Sequence, residues 1–381
     1  MKKITIGVFT TSRSEFGILL PLINKFKKSN RISLKVFAGG SHFLKSCGKT
    51  IKEIKLNKIK IDGRFGFEKN FNSNLDASYN LSKSTSSLGK IFNNNNLDYT
   101  CIVGDRFELI PVVLNSIINT VPILHIGGGE NTIGAIDNQI RNMISKASYL
   151  HFTYSKFYSK NLIEMGEDSK KIFTVGSPAI DNIKKISKRS RKNIFKKFKL
   201  DINKKTILLT YHPETLQLKV PIKTQIKNLF KALNSFNFQI IITSPSYDSG
   251  SSEIKKIIFK IIRNKKNHKY YESLGFSNYH SLLPHCEFVI GNSSSGLIEV
   301  PFYKMPTINI GFRQKGRLRH KSVIDVGYDS FEIKKAIKKA ISKKFRKKLY
   351  QIKYKFGNGK VSQKIEKIIR KIHKHNQVSV K

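Results

Sequence analysis

Short apolar runs that end in polar loops recur along this chain, and a helical pattern follows most of them. In the first half, residues 4–9, 34–38, 99–103, 122–126 and 151–153 read as strands. Helical patterns fall over 16–26, 81–92, the segment up to Ile118, and 136–146. Residues 172–178 form the last strand of this half and its exit to a hinge. The rhythm restarts with strands at 206–210, 238–242, 287–290 and from Pro306, and with helices at 222–234 and 253–263. Apolar runs this short and continuous read as buried strands. Strands alternating with helices imply a doubly wound parallel sheet, and the restart implies a second one, so the fold class is α/β. The expected domains are 1–178 and 179–360, followed by a basic amphipathic helix from Val361 and a tail to residue 381. Residues 51–75 are mixed, with Phe65, Phe67 and Phe71 as packing anchors.

In open α/β sheets, ligands bind beyond the carboxyl ends of the strands. Arg13, His42, Asp105, Glu130, His212, Asp248, Ser293, Ser294, Ser295 and Arg313 all fall there. The richest stretch is 286–310, CEFVIGNSSSGLIEVPFYKMPTINI. Its apolar run leads into Gly291-Asn292-Ser293-Ser294-Ser295-Gly296. Small residues let backbone approach a ligand, and three hydroxyls add donors. A short helix follows, with Glu299 in its first turns and Pro301 kinking or ending it. The free N–H groups of a helix start suit a phosphate. Glu299 suits two neighbouring hydroxyls, as on a ribose. Together these features point to a nucleotide diphosphate site; the bland alternative is an ordinary βα turn.

The net charge is +46, from 71 Lys and Arg against 25 Asp and Glu. Taken alone, that suggests nucleic acid or an anionic surface. The basic residues are mostly Lys, they are spread over nearly every polar segment, and no nucleic-acid motif accompanies them. The charge reads as solvated surface that helps attract an anionic substrate. Cys47, Cys101 and Cys286 are odd in number and scattered, which argues against a disulfide framework or a zinc site. A reducing cytoplasm is the expected compartment. No apolar run reaches membrane-spanning length, no cluster has metal-ligand spacing, and the GxGxxG fingerprint is absent. The expectation is therefore no cofactor, no metal, no membrane and no specific nucleic acid, with a homodimer or homotetramer left open.

Seven motifs occur in order: SRSEFG, GDRFE, HIGGGE, GAIDNQIRN, YHPET, GNSSSGLIEVP and INIGFRQKGR. On these, over roughly residues 4–330, the chain resembles the hydrolysing UDP-N-acetylglucosamine 2-epimerases of sialic acid pathways. It also resembles their relatives that act on UDP-diacetylbacillosamine for legionaminic acid. One such motif is weak evidence and an ordered set is strong. The resemblance implies the glycosyltransferase-B architecture: two Rossmann-like domains facing a cleft, UDP held mainly by the second, and a C-terminal helix returning toward the first.

The reaction so implied removes the proton at sugar C2 while UDP leaves C1, giving a glycal-type intermediate to which water adds. It needs a carboxylate base, an acid or cationic stabiliser, and a positioned water. The resemblance assigns Asp105, Glu130 and Asp137 to proton traffic, their crowding setting different pKa values. His212 is assigned as acid or phosphate donor. It gives Arg13, Arg106, Arg141 and Arg313 to the substrate, Arg13 and Arg313 through forked hydrogen bonds to the diphosphate. Asn292, Ser293, Ser294, Ser295, Gly296 and Glu299 would hold the nucleotide, and Tyr279 or Phe276 would stack on uracil. Local alternatives stay open. Asp105 can pair with Arg106 or cap its helix, Asp137 can cap the next helix, and Arg317 and Arg319 can be solvated surface. UDP-N-acetylglucosamine is the first expected substrate and UDP-diacetylbacillosamine the second. A non-hydrolysing epimerase and a UDP-sugar glycosyltransferase are the competing readings. The non-hydrolysing enzymes carry a DSGG-type loop followed by QEE, where this chain has NSSSG and IEV. Three residues depart from the family pattern: Gly127, where a bulkier polar residue is usual, Asn142, where His is usual, and Phe312, where Asp is common.

Overall fold

The structure, a computed structural model, describes residues 2–44, 48–66, 73–186, 189–216, 219–246, 248 and 250–379. Cys47, Phe67 and Phe71 lie outside these residues. The chain divides into two compact units. One comprises Met1–Glu130, Asp137–Lys185 and Lys355–Lys381; the other comprises Asn131–Ile136 and Ile186–Tyr354.

The first unit carries β1 (Ile4–Thr10), β2 (Ile32–Ala38), β3 (Gly63–Arg64), β4 (Tyr99–Val103), β5 (Ile123–Ile126), β6 (Leu150–Thr153) and β7 (Ile172–Thr174). They form one seven-stranded sheet in the order β3-β2-β1-β4-β5-β6-β7, with parallel pairing. The second unit carries β8 (Thr206–Thr210), β9 (Gln239–Thr243), β10 (His268–Tyr271), β11 (Val289–Gly291), β12 (Thr307–Ile310) and β13 (Val323–Val326). Their order is β10-β9-β8-β11-β12-β13, again parallel. Both sheets are wound the same way, and the strand order reverses between β1 and β4 and between β8 and β11. At such a reversal the flanking connections diverge and leave a crevice at the strands' carboxyl ends.

The central strands are buried on both faces, so their sequences are continuous apolar runs. In the second unit Ile207, Leu209, Ile240, Ile242 and Ile290 enter one core cluster, while Leu208, Ile241 and Val289 enter another. This is the period-two alternation of a sheet covered on both sides.

Some expected boundaries move. The helix after β1 runs over Arg13–Lys27, not from residue 16, because Ser12 and Glu15 form a capping box at its start. Arg13 is thus the first helical residue. The helix expected at 81–92 begins at Asn74, capped by Ser73. The short helix after β11 covers Ser295–Ile298 and gives way to a 3-10 turn at Val300–Tyr303, with Pro301 at the junction. Helices Ala179–Lys185, Arg191–Lys197, Lys156–Glu164 and Ser330–Ile341, and strands β10 and β13, are additions to the sequence reading.

The last helix, Val361–Ser379, belongs to the first unit. The Asp181 carboxylate caps it, accepting from the N–H groups of Val361 (2.9 Å) and Ser362 (2.7 Å). Farther along it, Glu366 accepts from the Ser29 hydroxyl at 3.0 Å.

Candidate active site

In the first unit the site is built on the ends of β4 and β5. Gly104 leaves β4 with φ +86° and hands the chain to Asp105. The Asp105 carboxylate has a partner far off in sequence. It pairs with an Nη2 donor of Arg141, on the helix Asp137–Lys146. Arg141 is 1% exposed. Its Nη1 donates to the Glu130 carbonyl at 2.6 Å, and its Nη2 lies 3.9 Å from the Glu130 carboxylate. Asp105, Glu130 and Arg141, which come from three segments, thus form one cluster, in which Glu130 and Arg141 are buried and Asp105 is half-buried. Asp137 opens the helix one turn before Arg141, on the same face. A buried guanidinium between two carboxylates offsets the cost of burying their charges.

Arg106 spends its fork on Glu108, with donor distances of 3.1 and 3.0 Å. Beside this pair lies Glu15, whose role is positional. One of its oxygens accepts from Thr11 N (2.6 Å), Thr11 Oγ1 (2.8 Å) and Ser12 N (3.1 Å), fixing the loop that delivers Arg13. Burial, aided by the nearby Glu108 charge, pushes Glu15 up to about 7. His42 is a core residue. Its ring nitrogens meet the hydroxyls of Thr10 (3.0 Å) and Thr50 (2.9 Å), and burial pushes it down to about 3.

In the second unit the ends of β8, β11 and β12 are knotted by Asn292, which is fully buried. Its side-chain amide accepts from His212 N (2.7 Å) and donates to His212 O (2.9 Å). Its own carbonyl accepts from Gln314 Nε2 (2.8 Å) and Arg313 Nη1 (3.4 Å). The preceding Gly291 has φ +132°, and a Cβ there would sit 1.8 Å from the Thr210 carbonyl oxygen. Only glycine allows β11 to turn this close to β8.

The tautomer of His212 follows from one contact: Nδ1 accepts from the Ser246 N–H at 2.7 Å, so the ring proton is on Nε2. Glu214 accepts from Tyr328 OH (2.7 Å) and from Phe312 N (3.2 Å), joining YHPET to GFRQKG; burial raises its pKa. Ser295 Oγ donates to Glu299 at 2.7 Å and meets Tyr279 OH at 2.7 Å, and His280 Nε2 lies 3.5 Å from Glu299. Tyr279 therefore has its hydroxyl in the small-residue loop, and its ring packs edge-on against His280.

The segment Asn131–Ile136, between two of the candidate carboxylates in sequence, packs within the second unit. Ile133 N donates to Lys315 O (3.0 Å), Arg317 Nε to Thr132 Oγ1 (3.3 Å) and Ile136 N to Thr215 Oγ1 (3.1 Å). Arg317 and Arg319 are thus engaged, Arg319 with Asp325 at 2.9 Å.

Of the three departures, Gly127 has a visible counterpart: a Cβ there would lie 2.9 Å from the Tyr154 hydroxyl, which fills the space of a side chain. Phe312 is 46% exposed and packs edge-on against Tyr328. Nothing in the structure explains Asn142. Sequence reasoning passed over Glu15, Glu108, Glu214 and Gln314. The spacing Ser12-x-x-Glu15 was the one available signal, since it is a capping box. Among the described residues no group of three His, Cys, Asp or Glu is placed to hold a metal ion, and no helix is long and apolar enough to cross a membrane.

The family described as UDP-N-acetylglucosamine 2-epimerase matches residues 24–370. The chain belongs to this family. The GDP/UDP-N,N'-diacetylbacillosamine 2-epimerase (hydrolyzing) of Campylobacter jejuni subsp. jejuni serotype O:2 is 35% identical over 327 residues, 85% of each chain. The UDP-N,N'-diacetylbacillosamine 2-epimerase (hydrolyzing) of Legionella pneumophila is 28% identical, covering 97% of this chain and 96% of the other. The crystal structure of UDP-GlcNAc 2-epimerase from Neisseria meningitidis bound to UDP-GlcNAc superposes with a TM-score of 0.83 at 20% identity, covering 97% of this chain and 100% of that one. The two Rossmann-like units expected from the resemblance to this epimerase family are the seven- and six-stranded parallel sheets described above. The chain is a UDP-sugar 2-epimerase of that fold.

Proposed function

We propose that this epimerase is of the hydrolysing type, converting a UDP-linked 2-acetamido sugar to UDP and the free 2-epimer. The observation that carries the reading is the Asp105–Arg141–Glu130 cluster around the buried Arg141 at the ends of β4 and β5. One carboxylate of Asp105, Glu130 and Asp137 takes the C2 proton as the C1–O bond breaks. UDP leaves with the bridging oxygen, and a C1=C2 double bond forms. Water then adds at C1 and a proton returns to C2 on the opposite face, with a second carboxylate as its source. His212, with its proton on Nε2, donates toward the diphosphate, and Arg13 and Arg313 offset its charge.

The Ser293, Ser294 and Ser295 loop and Glu299 hold the nucleoside side, with Tyr279 beside them. UDP-N-acetylglucosamine was the first substrate expected. The Campylobacter and Legionella relatives, named as diacetylbacillosamine 2-epimerases, support the diacetamido sugar as the substrate; nonulosonic acid synthesis in the cytoplasm is the setting that this reading implies.

Calorimetry with UDP tests the nucleotide half. Ser294→Ala and Glu299→Ala are each expected to weaken UDP binding about tenfold or more, because each removes a hydrogen bond made in the ground state. Asp105→Asn is expected to leave it within about threefold. Wild-type protein that takes up no UDP at millimolar ligand would overturn the assignment.

A further inference from the structure

His125 is fully buried on β5, two residues before the glycine run that leads to Glu130. Its Nε2 lies 2.8 Å from the Gly104 carbonyl, and its Nδ1 lies 3.2 Å from Ser145 Oγ. A carbonyl can only accept, so the proton is on Nε2 and Nδ1 accepts from the serine hydroxyl. Gly104 immediately precedes Asp105. Ser145 is one helical turn beyond Arg141, on the same face. His125 therefore ties together the two backbone segments that present the Asp105–Arg141 pair. Gly128 makes room for the link: a Cβ there would be 3.0 Å from His125 Nδ1 and 3.1 Å from Ser145 Oγ. Burial pushes the ring down to about 3, so it stays neutral and keeps one tautomer across the physiological range.

We propose that His125 is a positioning residue for the epimerase reaction, fixing the register between the β4 end and the helix Asp137–Lys146 so that Asp105 and Arg141 meet. The proposal rests on the assignment of Asp105 to proton transfer. His125 itself exchanges no proton with substrate.

The test uses two variants of the full chain. His125→Phe keeps ring volume and removes both bonds. Its kcat is expected to fall about 30- to 100-fold, with KM and UDP affinity within about threefold. His125→Gln restores a donor toward Gly104 and is expected to recover at least a third of that loss on a logarithmic scale. A second readout needs no substrate. The ¹⁵N spectrum of wild-type His125 is expected to show the neutral Nε2–H tautomer from pH 5 to 8. The Arg141 Nη–H signals, slowed in exchange by Asp105, should be lost in His125→Phe and return in His125→Gln. If His125→Phe keeps those signals, or its kcat stays within threefold of wild type, the positioning role is wrong and the proposed reaction stands. If KM rises and UDP affinity falls by as large a factor as kcat, the role is general folding and the proposal is also wrong. Wild-type protein that gives the expected spectra but no 2-epimer from any UDP-sugar sinks the reaction, and with it a catalytic meaning for His125.

Discussion

Asp105→Asn is expected to lower turnover by roughly 10²- to 10⁴-fold while UDP affinity changes little. The substitution is nearly isosteric, and the amide oxygen can still accept from Arg141, so the end of β4 keeps its shape. Only the capacity to take a proton is lost. Glu130→Gln is expected to fall in the same range, with a larger structural component. Glu130 is 3% exposed, and its carbonyl is also held by Arg141. Single-turnover kinetics with the release of UDP as readout check both. Activity within tenfold of wild type in Asp105→Asn would remove that residue from the proton path.

Arg141→Met is expected to abolish turnover and to destabilise the first unit by about 3–5 kcal/mol, because removing one partner of a buried ion pair leaves the others uncompensated. Here one guanidinium serves Asp105, the Glu130 carbonyl and, at 3.9 Å, the Glu130 carboxylate. Its loss takes a charged donor away from all three. Arg141→Lys keeps the charge but not the fork and cannot reach both segments at once, so an intermediate loss is expected. Hydrogen exchange reads this locally. Protection of the β4 and β5 amides should fall by about two to three decades in Arg141→Met, since each decade corresponds to about 1.4 kcal/mol. Protection in β8 and β11 of the second unit should be unchanged. Unaltered exchange in β4 and β5 would mean that Arg141 is not the counter-ion described.

The strands that could be read in the sequence are those buried on both faces. β1, β4, β8 and β9 carry continuous apolar runs, because helices or loops cover both sides. β10 and β13 were missed because they are edge strands. His268–Tyr271 is only partly buried throughout, and Val323–Val326 has one buried residue, so neither shows a clean pattern. The candidate site was legible in its parts but not in its pairings. Local reading offers Arg106 as the partner of Asp105, since they are adjacent. In the fold, Glu108 takes two donors of Arg106, and the turn at Gly104 aims Asp105 at a helix more than thirty residues later. Nothing in a linear pattern announces that Arg141 is buried, because a lone arginine on a polar helix reads as surface. The membership of Asn131–Ile136 in the second unit is equally silent in sequence, since it depends on loops some 80 to 185 residues away.

The most direct test of hydrolysing 2-epimerisation is to run the reaction in D₂O and follow the products by NMR, with UDP-N-acetylglucosamine and UDP-N,N'-diacetylbacillosamine in parallel. The expected result is UDP together with a free 2-epimeric sugar that carries deuterium at C2, from the diacetamido substrate in preference to the other. A UDP-linked 2-epimer with no free sugar would contradict the hydrolysing assignment, and a free sugar that retains its original C2 proton would contradict elimination and hydration.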